Sequence, residues 1–156
     1  MKIDSSLKQL AMDFIASNPL SVLSINQKHN APYATPVFVI CDDQLNLQFV
    51  TKVKTHKYEL LDHDDRVSVT IHNAEKQQVM QATGEASRIG SGEGQAQIFF
   101  DQVNALQKSS DANWMPPIVK IEAGEYAIFS VETNWMKITH FNSHISGPPT
   151  VLQIIT

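Results

Sequence analysis

Three strand-like runs follow one another early in the chain, with too little sequence between them to cross a sheet. Residues 20–25 are apolar and partly β-branched, residues 33–41 carry Thr, Val and Ile throughout, and Leu45, Leu47 and Phe49 alternate with Asn46 and Gln48. The segments at 26–30 and 42–44 are short and polar. A parallel neighbour needs a crossover of about a dozen residues or more, so these runs predict an antiparallel meander.

The same pattern returns further on. Val67, Val69 and Ile71 alternate with Ser68, Thr70 and His72, residues 74–76 form a turn, and residues 77–89 read as a long strand. Gly84 inside that strand predicts a bulge or bend. Residues 118–121, 126–131 and 135–141 read as later strands. The tail from His144 to Thr156 is expected to add a strand or to dock on a partner chain. Three helices are expected. Leu7, Leu10, Ala11, Phe14 and Ile15 share one face, with Ser5 or Ser6 as cap and Asn18-Pro19 as stop. A short helix follows at about 55–61. A third runs from the glycine-containing loop at 90–94 to about Lys108, with Ile98, Phe99, Val103 and Leu106 on one face. This order gives an α+β fold, mainly antiparallel, and six to eight strands with a glycine bend suit a small barrel with flanking helices.

The 156 residues make a single domain, 1–156, with no internal boundary. Lys plus Arg number 12 against 16 Asp plus Glu, and the resulting charge of −4 argues against nucleic acid as a partner. The longest apolar run, residues 37–41, is far too short to span a bilayer. Cys41 is the only cysteine, which excludes an internal disulfide and favours a reducing compartment. With no apolar segment behind Lys2, a cytoplasmic protein without a membrane partner is expected.

One stretch concentrates positive charge in this acidic chain: Phe49-Val50-Thr51-Lys52-Val53-Lys54-Thr55-His56-Lys57-Tyr58. It lies where a strand ends and a helix begins. Thr55 suits an N-cap, and the first-turn amides and dipole of the helix favour an anion, with Lys57 as a counter-charge. The competing structural reading is that the lysines solvate a loop and Thr55 only caps. Other constellations carry less. His140 and His144 are four apart, but Asn142 and Gly147-Pro148-Pro149 argue against a helix, so no metal site is expected. Cys41 has no base in view. The glycines at 90, 92 and 94 lack the Lys-Ser/Thr of a phosphate loop. Trp114 and Trp135 suit a flat cofactor or a core equally. No side chain stands out as a catalytic acid or base.

Phe49-Val50-Thr51, Thr55-His56-Lys57-Tyr58, Asp65-Arg66-Val67-Ser68-Val69, Gln78-Val79 and Thr83-Gly84-Glu85-Ala86, in that order and spacing, resemble the pyridoxamine 5′-phosphate oxidase-like family of FMN-binding split-barrel proteins. Val22-Leu23-Ser24 and Ala34-Thr35-Pro36-Val37 extend the likeness. The resemblance implies a split β-barrel homodimer that binds FMN between its subunits, with a nicotinamide or other small-molecule electron donor. It implies cofactor contacts at Phe49, Val50, Thr51, Lys52, Thr55, His56 and Lys57, with Thr55 and Lys57 at the phosphate. It adds Gln78 and Trp135 near the flavin. Two departures stand out. Family enzymes often carry arginine where Ala34 or Thr35 and His56 stand here. The Arg-Leu-His-Asp-Arg-like ending of true oxidases is only echoed by Lys137-Ile138-Thr139-His140-Phe141. The expectation is therefore a flavin reductase or general-stress-type relative, not a true pyridoxamine phosphate oxidase. Two alternatives are a non-enzymatic module for haem, another flavin or a deazaflavin, with His140 or His144 as a haem contact, and an interaction protein with a vestigial cleft.

Overall fold

The computed structural model describes residues 3–107, 124–141 and 148–156; the expected strand at 118–121, Trp114 and His144 lie outside the described residues. Helix α1 (Ser5–Ser17) buries Ala11, Phe14 and Ile15. Its cap is Asp4, not Ser5 or Ser6. The Asp4 carboxylate accepts from the amides of Ser6 at 2.8 Å and Leu7 at 3.2 Å. A charged acceptor one residue earlier outcompetes a serine hydroxyl at the positive end of the helix dipole. The Ser6 hydroxyl and these amides hold the Asp4 carboxyl below its ordinary pKa. Asn18 ends the helix as expected, its side-chain amide donating to the Phe14 carbonyl at 2.8 Å.

Strands β1 (Leu20–Ile25), β2 (Tyr33–Phe38), β3 (Ile40–Cys41) and β4 (Leu47–Lys52) come next. They are followed by helix α2 (His56–His63), β5 (Arg66–Asn73), β6 (Gln78–Ser91), α3 (Glu93–Gln107), β7 (Tyr126–His140) and β8 (Thr150–Ile155). The sheet runs β2-β1-β5-β6-β7-β4-β3, with β8 beside β7, and every pairing is antiparallel. The expected strand at 33–41 breaks at Val39, whose amide donates to the Pro19 carbonyl at 2.8 Å, one step past the Leu20–Phe38 pair in the β1–β2 register. The first part then pairs with β1 and the last with β4. The two ends of the sheet are thus chain neighbours with Val39 alone between them, which curls the sheet into a barrel.

Two further boundaries differ from expectation. Strand β4 begins at Leu47 because the Asp42 carboxylate takes the amides of Gln44 and Asn46, both at 2.9 Å, and so sets a tight turn. Leu45 then adopts φ 65° with its side chain fully buried. A bulky residue there is unfavourable, and core burial offsets the cost. The expected pair of late strands is one strand, β7, of 15 residues. A bulge, not a turn, divides it: Thr83 faces Trp135 and Gly84 faces Thr133, which leaves Asn134 extra. Thr83 Oγ1 donates to Asn134 Oδ1 at 2.8 Å. Gly84 is required here, because a Cβ would lie 2.2 Å from the Glu132 carbonyl oxygen. The tail strand pairs with β7 of its own chain.

Inward residues of all the long strands fill one core, from Leu23, Phe49 and Ile71 to Met80 and Met136. Helix α1 is tied to the last residue of β5, where Asn73 donates to Asn18 at 2.8 Å. Helix α2 leads into the first residue of β5 and buries Leu61. The two helices therefore sit at opposite ends of the barrel. Helix α3 lies outside, with Phe99, Phe100 and Val103 on Phe38, Ile40 and Val50.

Candidate functional site

The breaking of the strand at Val39 opens one edge of β4. Strand β3 pairs only with Leu47 and Gln48, whereas β7 pairs with β4 from Leu47 through Lys52. Among the described residues, no strand covers the other edge of Phe49–Lys52. The split in the barrel lies there, immediately before α2.

The chain turns after Lys52 through Lys54, at φ 66°, and enters α2. Thr55 occupies the N-cap position but makes no side-chain capping bond. Its hydroxyl donates to the Lys52 carbonyl at 2.9 Å and lies 3.0 Å from the hydroxyl of buried Thr51. The amides of the first turn of α2 are therefore left uncapped by Thr55, at the positive end of the helix. Lys57 is half-buried beside them, and burial lowers its ammonium pKa below the usual lysine range. No carboxylate partners Lys57 among the described residues. His56 is exposed, with its ring edge-on to Tyr33 at 4.8 Å.

The other expected site residues divide. Phe49 is fully buried and stacked on Phe129 at 5.4 Å, and Val50 packs under α3, so both offer only backbone to the split. Lys52 is half-buried at the same place. Gln78 is elsewhere. It opens β6 and lines a cleft of about 290 Å³ with Phe14, Ile138, His140 and Leu152. Ser91, at the other end of β6, pairs with Ala127, which in turn pairs with Thr51. Gln78 thus lies at the opposite end of β6 from the strand ends beside α2. Trp135 is half-buried in mid-β7, with Lys137 Nζ 5.4 Å from its ring centroid. One chain therefore gathers Thr51, Lys52, Thr55, His56 and Lys57, and leaves Gln78 and Trp135 apart from them.

Some features had no local signal in the sequence. Arg88 donates to the Tyr58 hydroxyl at 3.2 Å from 30 residues away, beside a cleft of about 570 Å³ that also includes Asp62, Arg66 and Phe129. Arg66 grips Asp64 with Nε at 2.9 Å and Nη2 at 2.7 Å. That contact holds the Asp64 carboxyl well below the usual carboxylate range. The thiol of Cys41 is pushed up to about 11 by burial and by Asp42, which suits an inert residue. No group of three metal-ligating side chains occurs among the described residues. None of their helices is long and apolar enough to cross a membrane.

The sequence profile of the family described as pyridoxamine 5′-phosphate oxidase matches residues 7–136. No curated protein sequence matches the chain. Among solved structures, General Stress Protein 26 from Bacillus anthracis is similar at 17% identity, covering 94% of this chain and 98% of that one, with a TM-score of 0.61. A pyridoxamine 5′-phosphate oxidase-related, FMN-binding protein from Nostoc punctiforme is similar at 12% identity over 100% of both chains, TM-score 0.58. A NimC/NimA family protein from Clostridium acetobutylicum is similar at 14% identity over 95% of this chain and 92% of that one, TM-score 0.60. At these identities the likeness concerns the fold, the α+β split barrel.

Proposed function

The chain belongs to the pyridoxamine 5′-phosphate oxidase family, and on that premise we propose that it is an FMN-binding oxidoreductase whose cofactor phosphate sits at the start of α2. The observation that carries this reading is Lys57, a half-buried ammonium with no carboxylate partner among the described residues. An uncompensated buried cation is costly, and an incoming anion removes the cost. The first-turn amides of α2 and the Lys52 charge add to Lys57 at the place proposed for the phosphate. The uncovered edge of Phe49–Lys52 offers backbone groups to the rim of a flat ring. His56 brings an imidazole where the family resemblance implies an arginine, which leaves the site with fewer fixed charges.

Bound FMN supplies the hydride and electron chemistry; the chain's residues anchor and orient it. Gln78 and Trp135 reach the same cofactor only from a second copy, which makes the working unit a cytoplasmic homodimer. The outer face of β1 supports this. Helix α3 covers Phe38, Ile40 and Val50, on β2, β3 and β4, but Leu20 and Val22 stay 51% and 45% exposed. The electron donor is a nicotinamide or another small molecule. Val22→Glu is expected to convert dimer to monomer in light scattering with multi-angle detection; an unchanged mass would remove this face from the interface. Purified protein is expected to be yellow and to release FMN on denaturation. A haem Soret band, or colourless protein that ignores added FMN, would overturn the assignment.

A further inference from the structure

The second flank of α2 carries a cationic cleft that the flavin reading does not use. It is about 930 Å³ and lies between the loop joining β1 to β2 and the last turns of α2. Lys28 and His29 come from the loop, His63 from the helix and Arg66 from β5. The single carboxylate in its lining is Asp64, and both of its oxygens are engaged. Oδ1 accepts from Arg66 Nε at 2.9 Å, and Oδ2 from Arg66 Nη2 at 2.7 Å and Asn26 Nδ2 at 3.4 Å. An exposed ion pair of this kind adds little stability. Its effect is to hold the guanidinium in place. Arginine has five N–H donors, and Asp64 occupies two of them, so three stay available. The side chains of Lys28, His29 and His63 have no hydrogen-bond or ion-pair partner among the described residues.

An adjoining cleft differs. It shares His63, Asp64 and Arg66 and adds Arg88, but it carries Asp62 and Asp65 as well, which oppose an anion there. Asp65 and Glu85 act on Arg66 electrostatically, yet neither lines the cationic cleft. That cleft also has an apolar wall, Pro32 and Leu60. Its volume is within the range of small-molecule sites and far exceeds what one phosphate needs. Spread cations beside an apolar wall match a ligand with several anionic oxygens and a flat ring. We infer that this cleft is a second ligand site, for a nucleotide bearing a di- or polyphosphate, with the phosphates on Lys28, His63 and Arg66 and the base on Pro32 and Leu60.

The inference stands apart from the flavin reading, and the test keeps them apart. Calorimetric titration of the full chain with ADP, then with adenosine, is expected to show ADP tighter by roughly tenfold or more, the scale of one charge-assisted hydrogen bond. Lys28→Ala with His63→Ala is expected to remove that advantage and to leave FMN titration by fluorescence quenching unchanged. Lys57→Ala is expected to do the reverse. ADP binding no tighter than adenosine would overturn the site. So would ADP affinity that ignores the Lys28/His63 double variant, or that falls with Lys57→Ala, since the nucleotide would then be occupying the α2 N-terminus.

Discussion

The two ends of the barrel are each closed by a helix, and the closures differ in kind. At the α1 end polar groups are matched: Asp4 caps the helix, Asn18 ends it and also receives Asn73, and Ala11 and Ile15 have no exposure. At the α2 end they are not. The N-cap hydroxyl turns back to Lys52, the first-turn amides are uncapped by it, and Lys57 is half-buried without a carboxylate among the described residues. The β4 edge beside them is also uncovered. On the proposed reading, the end that leaves donors unmatched is the one that takes the ligand. Local rules broken without local compensation mark function more often than error.

The contrast can be broken at either end, and the largest effect is expected at α1. Ile15→Ala removes a fully buried side chain and should cost about 3 kcal/mol of stability in urea unfolding, while FMN affinity per folded molecule stays the same. Next comes Lys57→Ala. It should weaken FMN binding by about 2 kcal/mol, roughly thirtyfold, with no loss of thermal stability, because the residue removed was a partly desolvated charge. A large stability loss from this variant would make Lys57 structural and erase the distinction. Asp4→Ala should cost about 1 kcal/mol of stability, as expected for a working N-cap, and leave the cofactor untouched.

The smallest effect sharpens the comparison through pH. Burial lowers the Lys57 pKa, so in the ligand-free protein its ammonium is lost at a lower pH than that of an exposed lysine. FMN affinity should fall as pH rises through that point, and Lys57→Arg, which stays charged, should flatten the fall. Stability should move the other way. The unfolded chain holds the proton longer than the folded one, so the apo protein gains stability with rising pH between the lowered value and the ordinary lysine value. Titration of the wild-type chain and Lys57→Arg between pH 8 and the ordinary lysine value of about 10.4 checks both signs.

Much of this was legible in the residues. The alternation at Val67, Val69 and Ile71, the short turns and Gly84 carried the antiparallel barrel, because period-2 burial and a missing Cβ are local signals. The positive stretch at Lys52–Lys57 carried the candidate site for the same reason. What the sequence hid is non-local. Nothing around Val39 announces that the chain changes partner there, from β1 to β4, and that change opens the split. Thr55 looks like a capping residue, and only the buried Thr51 hydroxyl beside it shows why it does not act as one. The bulge at Asn134 joined two expected strands into one because its partner, Thr83, is 51 residues away. The resemblance sets Gln78 near the flavin by order along the chain, yet order does not report that β6 carries it to the far end of the barrel.

The measurement that bears most directly on the α2 end as the cofactor site is a paired FMN titration of the wild-type chain and Lys57→Ala, followed by flavin fluorescence. Saturable binding in the wild type with a loss of roughly thirtyfold in the variant, at equal thermal stability, is the predicted result. Equal affinity in the two proteins, or no saturable binding in either, would contradict it.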